Sequence, residues 1–190
     1  MNNPMKGFRL ETARMIIRPY TKDKTESVWR VISHPMIYPT TYAIPRNYPK
    51  NRVGWWFQCI ENNYRNGTSY EFGMFDRLTD EYIGNCGIIN ILAAHKSGMI
   101  TYFIDPEKWN RGYATEAARA MLGFAFDILV LNRVGGTCMA INPGSAKVMM
   151  KTGMTYEGTA RQEIYKDGVY YDIRHFSVLK SEYDALKGQQ

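Results

Sequence analysis

The sequence predicts an α/β (α+β) fold: a mixed, mainly antiparallel sheet with one central β-α-β crossover and helices on both faces. Three observations predict it. Short β-rich runs recur between turn signals. One amphipathic helical stretch stands between two of those runs, which implies a parallel pairing there. No Pro/Gly/Ser-rich linker or break in composition divides the 190 residues, so 1–190 reads as a single domain.

Taken in order, "RMIIRPYT" (Arg14 to Thr21) reads as a first strand. A helix follows from about Asp23 to Ser33, with Thr21 as its N-cap and "HPMIYP" as its stop. A second helix runs from Arg52 to Tyr64 and ends near Gly67. "SYEFGMF" and "YIGNCGIINI" form an antiparallel hairpin about "DRLTDE", and "GMITYFI" (Gly98 to Ile104) is the next strand. From Ala114, the positions Ala117, Ala118, Met121, Leu122, Ala125, Ile128 and Leu129 keep the three-and-four spacing of a helix lying on a sheet. "RVGGTCMAI" (Arg133 to Ile141) returns as a strand. Asn142 then caps a short helix, Pro143 occupies its first turn and Gly153 ends it. Two last strands turn at Asp167-Gly168.

Composition narrows the function classes. A hydrophobic content of 45% with 14% aromatic residues excludes a disordered or fibrous chain and predicts a soluble globular one. The N-terminal stretch lacks a signal-peptide core and "FAFDILVL" is short and broken by Asp127, so the expected setting is cytoplasmic, with no membrane partner. Cys59, Cys86 and Cys138 fit neither a disulfide framework nor a zinc site and read as buried free thiols, and His34, His95 and His175 lack metal spacing, so no metal is expected. The net charge of +6 is not gathered into a basic helix or Arg-rich arm, so nothing points to nucleic acid.

The stretch "DPEKWNRGYATEAARAM" carries the chemistry. A helix that starts directly after a strand leaves its first N–H groups unpaired, and with the positive end of the dipole they suit a pyrophosphate. Gly112 and Ala114 keep side chains out of the way, and Thr115 adds a hydroxyl. Neither GxGxxG nor GxxxxGK[ST] spacing is present. A tight turn with small residues for close packing would leave the same trace.

"WNRGYATEAARAM" resembles the acyl-CoA motif of the GNAT acetyltransferases, in the form used by the RimJ/RimL-like branch, with Trp109, Gly112 and Ala114 in the motif positions. "LETARMIIRPYTKDK" resembles that branch's opening strand, "YIGNCGI" its central hairpin, "INPGSAKVMMKTGMTYEGTAR" its Asn-x-x-Ser helix with the turn that follows, and "GVYYDIRHFSVLKSEY" its closing strand. The resemblance implies an acetyl-CoA-dependent N-acetyltransferase that moves an acetyl group directly, in a ternary complex, to a primary amine on a protein N-terminus or a small molecule. The other reading is a catalytically weak CoA-binding or ribosome-associated module of the same fold. A homodimer is common among such proteins.

Coenzyme A is then expected on the backbone N–H groups of Arg111, Gly112, Tyr113, Ala114 and Thr115. Its amide-rich arm pairs with the edge near Tyr102 to Ile104, and the neighbouring strand splays away, with Gly135 and Gly136 allowing close approach or forming a bulge. A backbone N–H near Phe103 or Ile104 would serve a developing oxyanion. Many relatives present a Tyr one turn before the helix-ending Gly; Met149 stands there and cannot donate a proton. The resemblance offers Ser145 instead, which by itself could simply bond the helix terminus, and gives Asn142 to capping and to the pantetheine arm. For the amine's proton it suggests Glu163, one residue off the family column and thus facing the wrong side unless a bulge intervenes, with Glu71 and Asp105 as alternatives. Glu116 is structural, favoured by the helix dipole. Among the nearby cations only Arg111 lies in the motif. Tyr38, Tyr42, Trp55 and Trp56 would line an acceptor cleft or pack. Cys138 as an acetyl carrier is the less favoured route.

Overall fold

A computed structural model describes residues 5–188. Its frame is an eight-stranded sheet in the order β1-β2-β3-β4-β5-β6-β8-β7. The strands are β1 (Leu10–Glu11), β2 (Met15–Arg18), β3 (Tyr70–Asp76), β4 (Tyr82–Leu92), β5 (Ser97–Ile104), β6 (Arg133–Met139), β7 (Thr155–Lys166) and β8 (Val169–Leu179). Every neighbouring pair is antiparallel except β5 and β6. The helices are α1 (Thr25–Ile32), α2 (Arg52–Asn66), α3 (Tyr113–Gly123), α4 (Pro143–Lys151) and α5 (Lys180–Lys187).

The crossover from β5 through α3 to β6 makes the parallel pair, as the sequence predicts. That pairing covers only Ser97 with Arg133, Gly98 with Val134 and Met99 with Gly135. Beyond Met99 the strands part, leaving one edge of β5 from Ile100 to Ile104 without a strand partner. No bulge sits at the glycine pair, because β6 keeps an unbroken register with β8. The glycines instead admit methionines: a Cβ at Gly135 would lie 2.6 Å from Met99 Sδ, and one at Gly136 would lie 2.9 Å from Met149 Sδ.

Alternation along β5 assigns the faces. Tyr102 reaches Ser145 of α4, whereas Phe103 packs 6.5 Å from the Trp56 ring of α2. Thus α3 and α4 lie on one face, and α2 lies on the other.

Several boundaries differ from the sequence reading. Thr21 makes no side-chain cap; a 3-10 turn at Lys22–Lys24 precedes α1, which begins only at Thr25. The crossover helix ends in a π-helical turn, Phe124–Ile128, not in continuous α-helix. The edge pair β1 and the closing α5 carry too little periodic signal to be read from sequence. Cys59 is only half-buried, unlike Cys86 and Cys138. Among the described residues no helix is long and apolar enough to cross a membrane, and no group of three or more His, Cys, Asp or Glu is placed to hold a metal.

Candidate active site

The start of α3 is open. Gly112, its N-cap, sits at φ +81 and offers no side chain to the amides of Tyr113, Ala114 and Thr115. That φ is one a glycine adopts freely. Glu116 is drawn to the side, accepting from the Arg14 backbone N–H at 2.9 Å and from the Arg14 guanidinium at 2.7 Å. Burial opposes its ionisation, but bonds from Thr12 and Arg14 hold its carboxyl below the ordinary range. Glu116 ties Arg14 to the first turn of α3.

A cavity of about 730 Å³ opens at this helix start, lined by Gly112, Thr115, Arg14, Arg119 and Lys151 among others. Arg14 also donates to the Arg111 carbonyl at 2.7 Å and stacks 4.4 Å from the Tyr113 ring. The cations lining this cavity are therefore Arg14, Arg119 and Lys151, whereas Arg111, the cation the motif singles out, contributes only its carbonyl, as acceptor to Arg14. Neither Arg14 nor Arg119 carries a motif signal: Arg14 sits in the bend just before β2 and Arg119 lies further along α3, and only packing brings them to the cavity.

The indole of Trp109 donates to the Ile104 carbonyl at 2.8 Å, tying the end of β5 to the turn before α3. Its polar atom holds the loop in place. Along β5, the Asp105 N–H bonds the Ile83 carbonyl and the Lys96 carbonyl accepts from Asn132, so even-numbered residues direct their peptide groups toward β6. The amides of Tyr102 and Ile104 therefore face the parting. Phe103 is corrected: its amide belongs to the β4 ladder, and its side chain faces the opposite half of the site from α3 and α4.

At the start of α4, the Asn142 carboxamide oxygen accepts from the Ser145 N–H at 3.1 Å, and its NH₂ donates to the Thr40 carbonyl at 3.0 Å. This engages both ends of Asn142 in holding the helix against the α1–α2 loop. Ser145 Oγ is 3.0 Å from the Tyr102 hydroxyl, which also donates to the Ser145 carbonyl at 3.1 Å. Burial raises the Tyr102 phenol well above its ordinary value, so it retains its proton at neutral pH. Met149 is 2% exposed and packs against Gly136 in the core. Tyr102, known from sequence only as an edge strand residue, places a phenol hydroxyl on Ser145. Burial raises the Cys138 thiol, against a smaller opposing effect from Arg174 and a bond with Ser145, which disfavours a thiolate nucleophile.

On the other face, Glu163 lies within an irregular stretch of β7. β7 shifts register between Ala160 and Ile164 about Gln162 at φ 54, and Glu163 bonds His175 Nε2 at 2.7 Å. His175 stands opposite Thr137 of β6, whose hydroxyl meets Tyr42 at 2.9 Å. Tyr38 bonds Asp167 at the β7–β8 turn, and Lys166 donates to the Tyr38 and Thr41 carbonyls. The α1–α2 loop and the β7–β8 turn thus form one wall. Trp55 is exposed, whereas Trp56 packs among Tyr20, Phe57 and Phe103. Asp105 leaves the field: it is 2% exposed, caps the turn at Glu107 and pairs with Arg30 at 3.2 Å.

A sequence profile described as the acetyltransferase (GNAT) domain matches residues 14–155. The uncharacterised N-acetyltransferase YoaA of Bacillus subtilis is 28% identical over 90% of this chain and 96% of its own. Among solved structures, the ribosomal-protein-S5-alanine acetyltransferase of Vibrio fischeri superposes with a TM-score of 0.82 at 17% identity, covering 92% of this chain and 98% of that one. Spermidine N-acetyltransferase of Vibrio cholerae, solved with CoA and spermine, gives 0.78 at 20% identity over 90% and 99% of the two chains.

Proposed function

The chain belongs to the GNAT acetyltransferase family, whose members use acetyl-CoA, and from that premise we propose that residues 1–190 form one catalytic domain moving an acetyl group directly to a primary amine. The observation that carries the proposal is the coincidence of three features at one parting of the sheet. They are the uncapped start of α3 among cations, the partnerless edge of β5, and the Tyr102–Ser145 pair.

These residues fit coenzyme A. The amides of Tyr113, Ala114 and Thr115, with Arg14, Arg119 and Lys151, suit its diphosphate, and the Tyr102 and Ile104 peptide edge suits its amide arm. Bound acetyl-CoA supplies a thioester carbonyl for the amine to attack. The Ile104 N–H faces the parting as a donor for developing negative charge. Ser145, hydrogen-bonded to Tyr102, holds a proton within the same space for a departing thiolate. On the acceptor side, Glu163 with His175 and Glu71 with Asn85 are the carboxylates available to an incoming ammonium.

Similarity extends to proteins named for ribosomal-protein and for spermidine acetylation, so the test uses both acceptor classes. Millimolar CoA is expected to raise the melting temperature by mass action, and thiol release from acetyl-CoA is expected with N-terminal peptides or small amines. Binding with no thiol release across the panel would leave a CoA-binding module in its place.

A further inference from the structure

Glu71 of β3 is a half-buried carboxylate that forms no ion pair among the described residues. A desolvated charge without a cation is costly to keep unless a ligand supplies one. Its position is set from several sides. The Tyr20 hydroxyl donates to Asn85 Oδ1 at 2.7 Å, which turns the Asn85 amide so that Nδ2 donates to Glu71 Oε2 at 3.1 Å. The carboxylate is thereby drawn across to β4, beside the residue that pairs with Phe103. Opposite Glu71 stands Gly87, where a Cβ would lie 2.8 Å from Glu71 Cα and 3.1 Å from its Cγ. With no side chain at Gly87, the row from Glu71 to Thr101 of β5 is clear.

Strands lie about 4.8 Å apart, so a carboxylate held over β4 is about one strand spacing from β5. Glu163 lies on β7, three strands from β5 across the parted pair, and its carboxylate is already bonded to His175. Distance and the open partner both favour Glu71. The titratable groups around it are the phenols of Tyr64 from α2, of Tyr20, and of Tyr82 from β4, together with the Cys86 thiol on the far face of β4. None is a cation. Burial raises the Glu71 carboxyl, with the Asn85 bond pulling the other way.

Building on the acetyltransferase reading, we propose that Glu71, held over β4 by Asn85, binds the acceptor's ammonium and takes its proton. The N–H bond of the ammonium breaks, an O–H bond forms on Glu71, the nitrogen keeps the electron pair for attack, and the proton then leaves to water. The substrate class is an amine that arrives as a cation.

The test compares E71Q and E163Q with the wild type in three measurements. E71Q is expected to lower kcat/KM about 10²-fold or more and to abolish its fall at acid pH, whereas E163Q keeps that acid limb. The thermal shift with CoA is expected to survive in both variants. A raised carboxyl pKa contributes stability at acid pH that is lost as pH rises through it, so the melting temperature of E71Q is expected to exceed wild type at neutral pH and the gap to close on acidification. If E71Q does not fold, E71D and a carbon-13 titration of the wild-type glutamate carboxyls replace it. One resonance with a raised pKa is expected to disappear in E71D and, in wild type, to move down in pKa when amine and CoA are added. An E71Q that keeps its rate and acid limb, a limb lost in E163Q, or no carboxyl responding to amine would overturn the proposal. A wild-type chain with no CoA shift would instead overturn the acetyltransferase reading beneath it.

Discussion

The two helices that flank the parted strands begin in opposite ways. At α4, Asn142 caps the Ser145 N–H and Pro143 occupies the first turn, so the helix satisfies its own terminus. At α3, Gly112 provides no side-chain cap, and the amides that follow are the ones proposed to meet an external anion. One start delivers a fixed side chain, Ser145, and the other delivers backbone. Capping groups and ligands compete for the same orphan donors, so a helix end can be finished internally or kept for binding.

The largest effect is expected at the closed start. S145A or Y102F should lower kcat by about 10²-fold or more with little change in CoA affinity. Because the two hydroxyls share one bond, the double variant should cost much less than the product of the singles, a result read from steady-state kinetics. Additive losses would separate their roles.

Next in size is conversion of the open start into a closed one. G112D places a capping carboxylate where none exists, and aspartate tolerates a positive φ better than most residues. Losing two charge-assisted bonds and adding a negative charge should weaken CoA binding by about 100-fold, measured by calorimetry. Thermal stability should change little, since the cap offsets the strain. Unchanged CoA affinity would remove the diphosphate from this helix.

Opening the closed start should act on stability. N142A is expected to cost about 1 kcal/mol in denaturant unfolding, with a further loss where the Thr40 contact goes. The smallest effect is expected for M149L, a volume-conserving core change that should cost less than about 1.5 kcal/mol and leave kcat unaltered. A large rate loss there would return Met149 to the chemistry.

Much of this was legible in the chain. The spacing from Ala117 to Ala125 marked the crossover helix, though Ile128, read on the same face, is exposed at the end of the π turn, and Asn142, Pro143 and Gly153 marked α4, because those signals are local. The parting of β5 and β6 was expected from resemblance alone, and it is seen where pairing stops at Met99 and Gly135. The register shift between Ala160 and Ile164, about Gln162, is marked by no composition, and it leaves Glu163 bonded to His175.

The sequence by itself determined the order of the main strands and helices from β2 to β8, the open glycine before α3 and the cap on α4, since each depends on residues within a few positions of one another. Tertiary structure decided that Tyr102 meets Ser145, that Arg14 and Arg119 stand at the α3 cavity, and that Asn85 draws Glu71 over β4. Those groups are 14 to 105 residues apart, and only sheet register and helix packing bring them within reach. Periodicity records which face a residue takes, but it carries no record of what stands across from it.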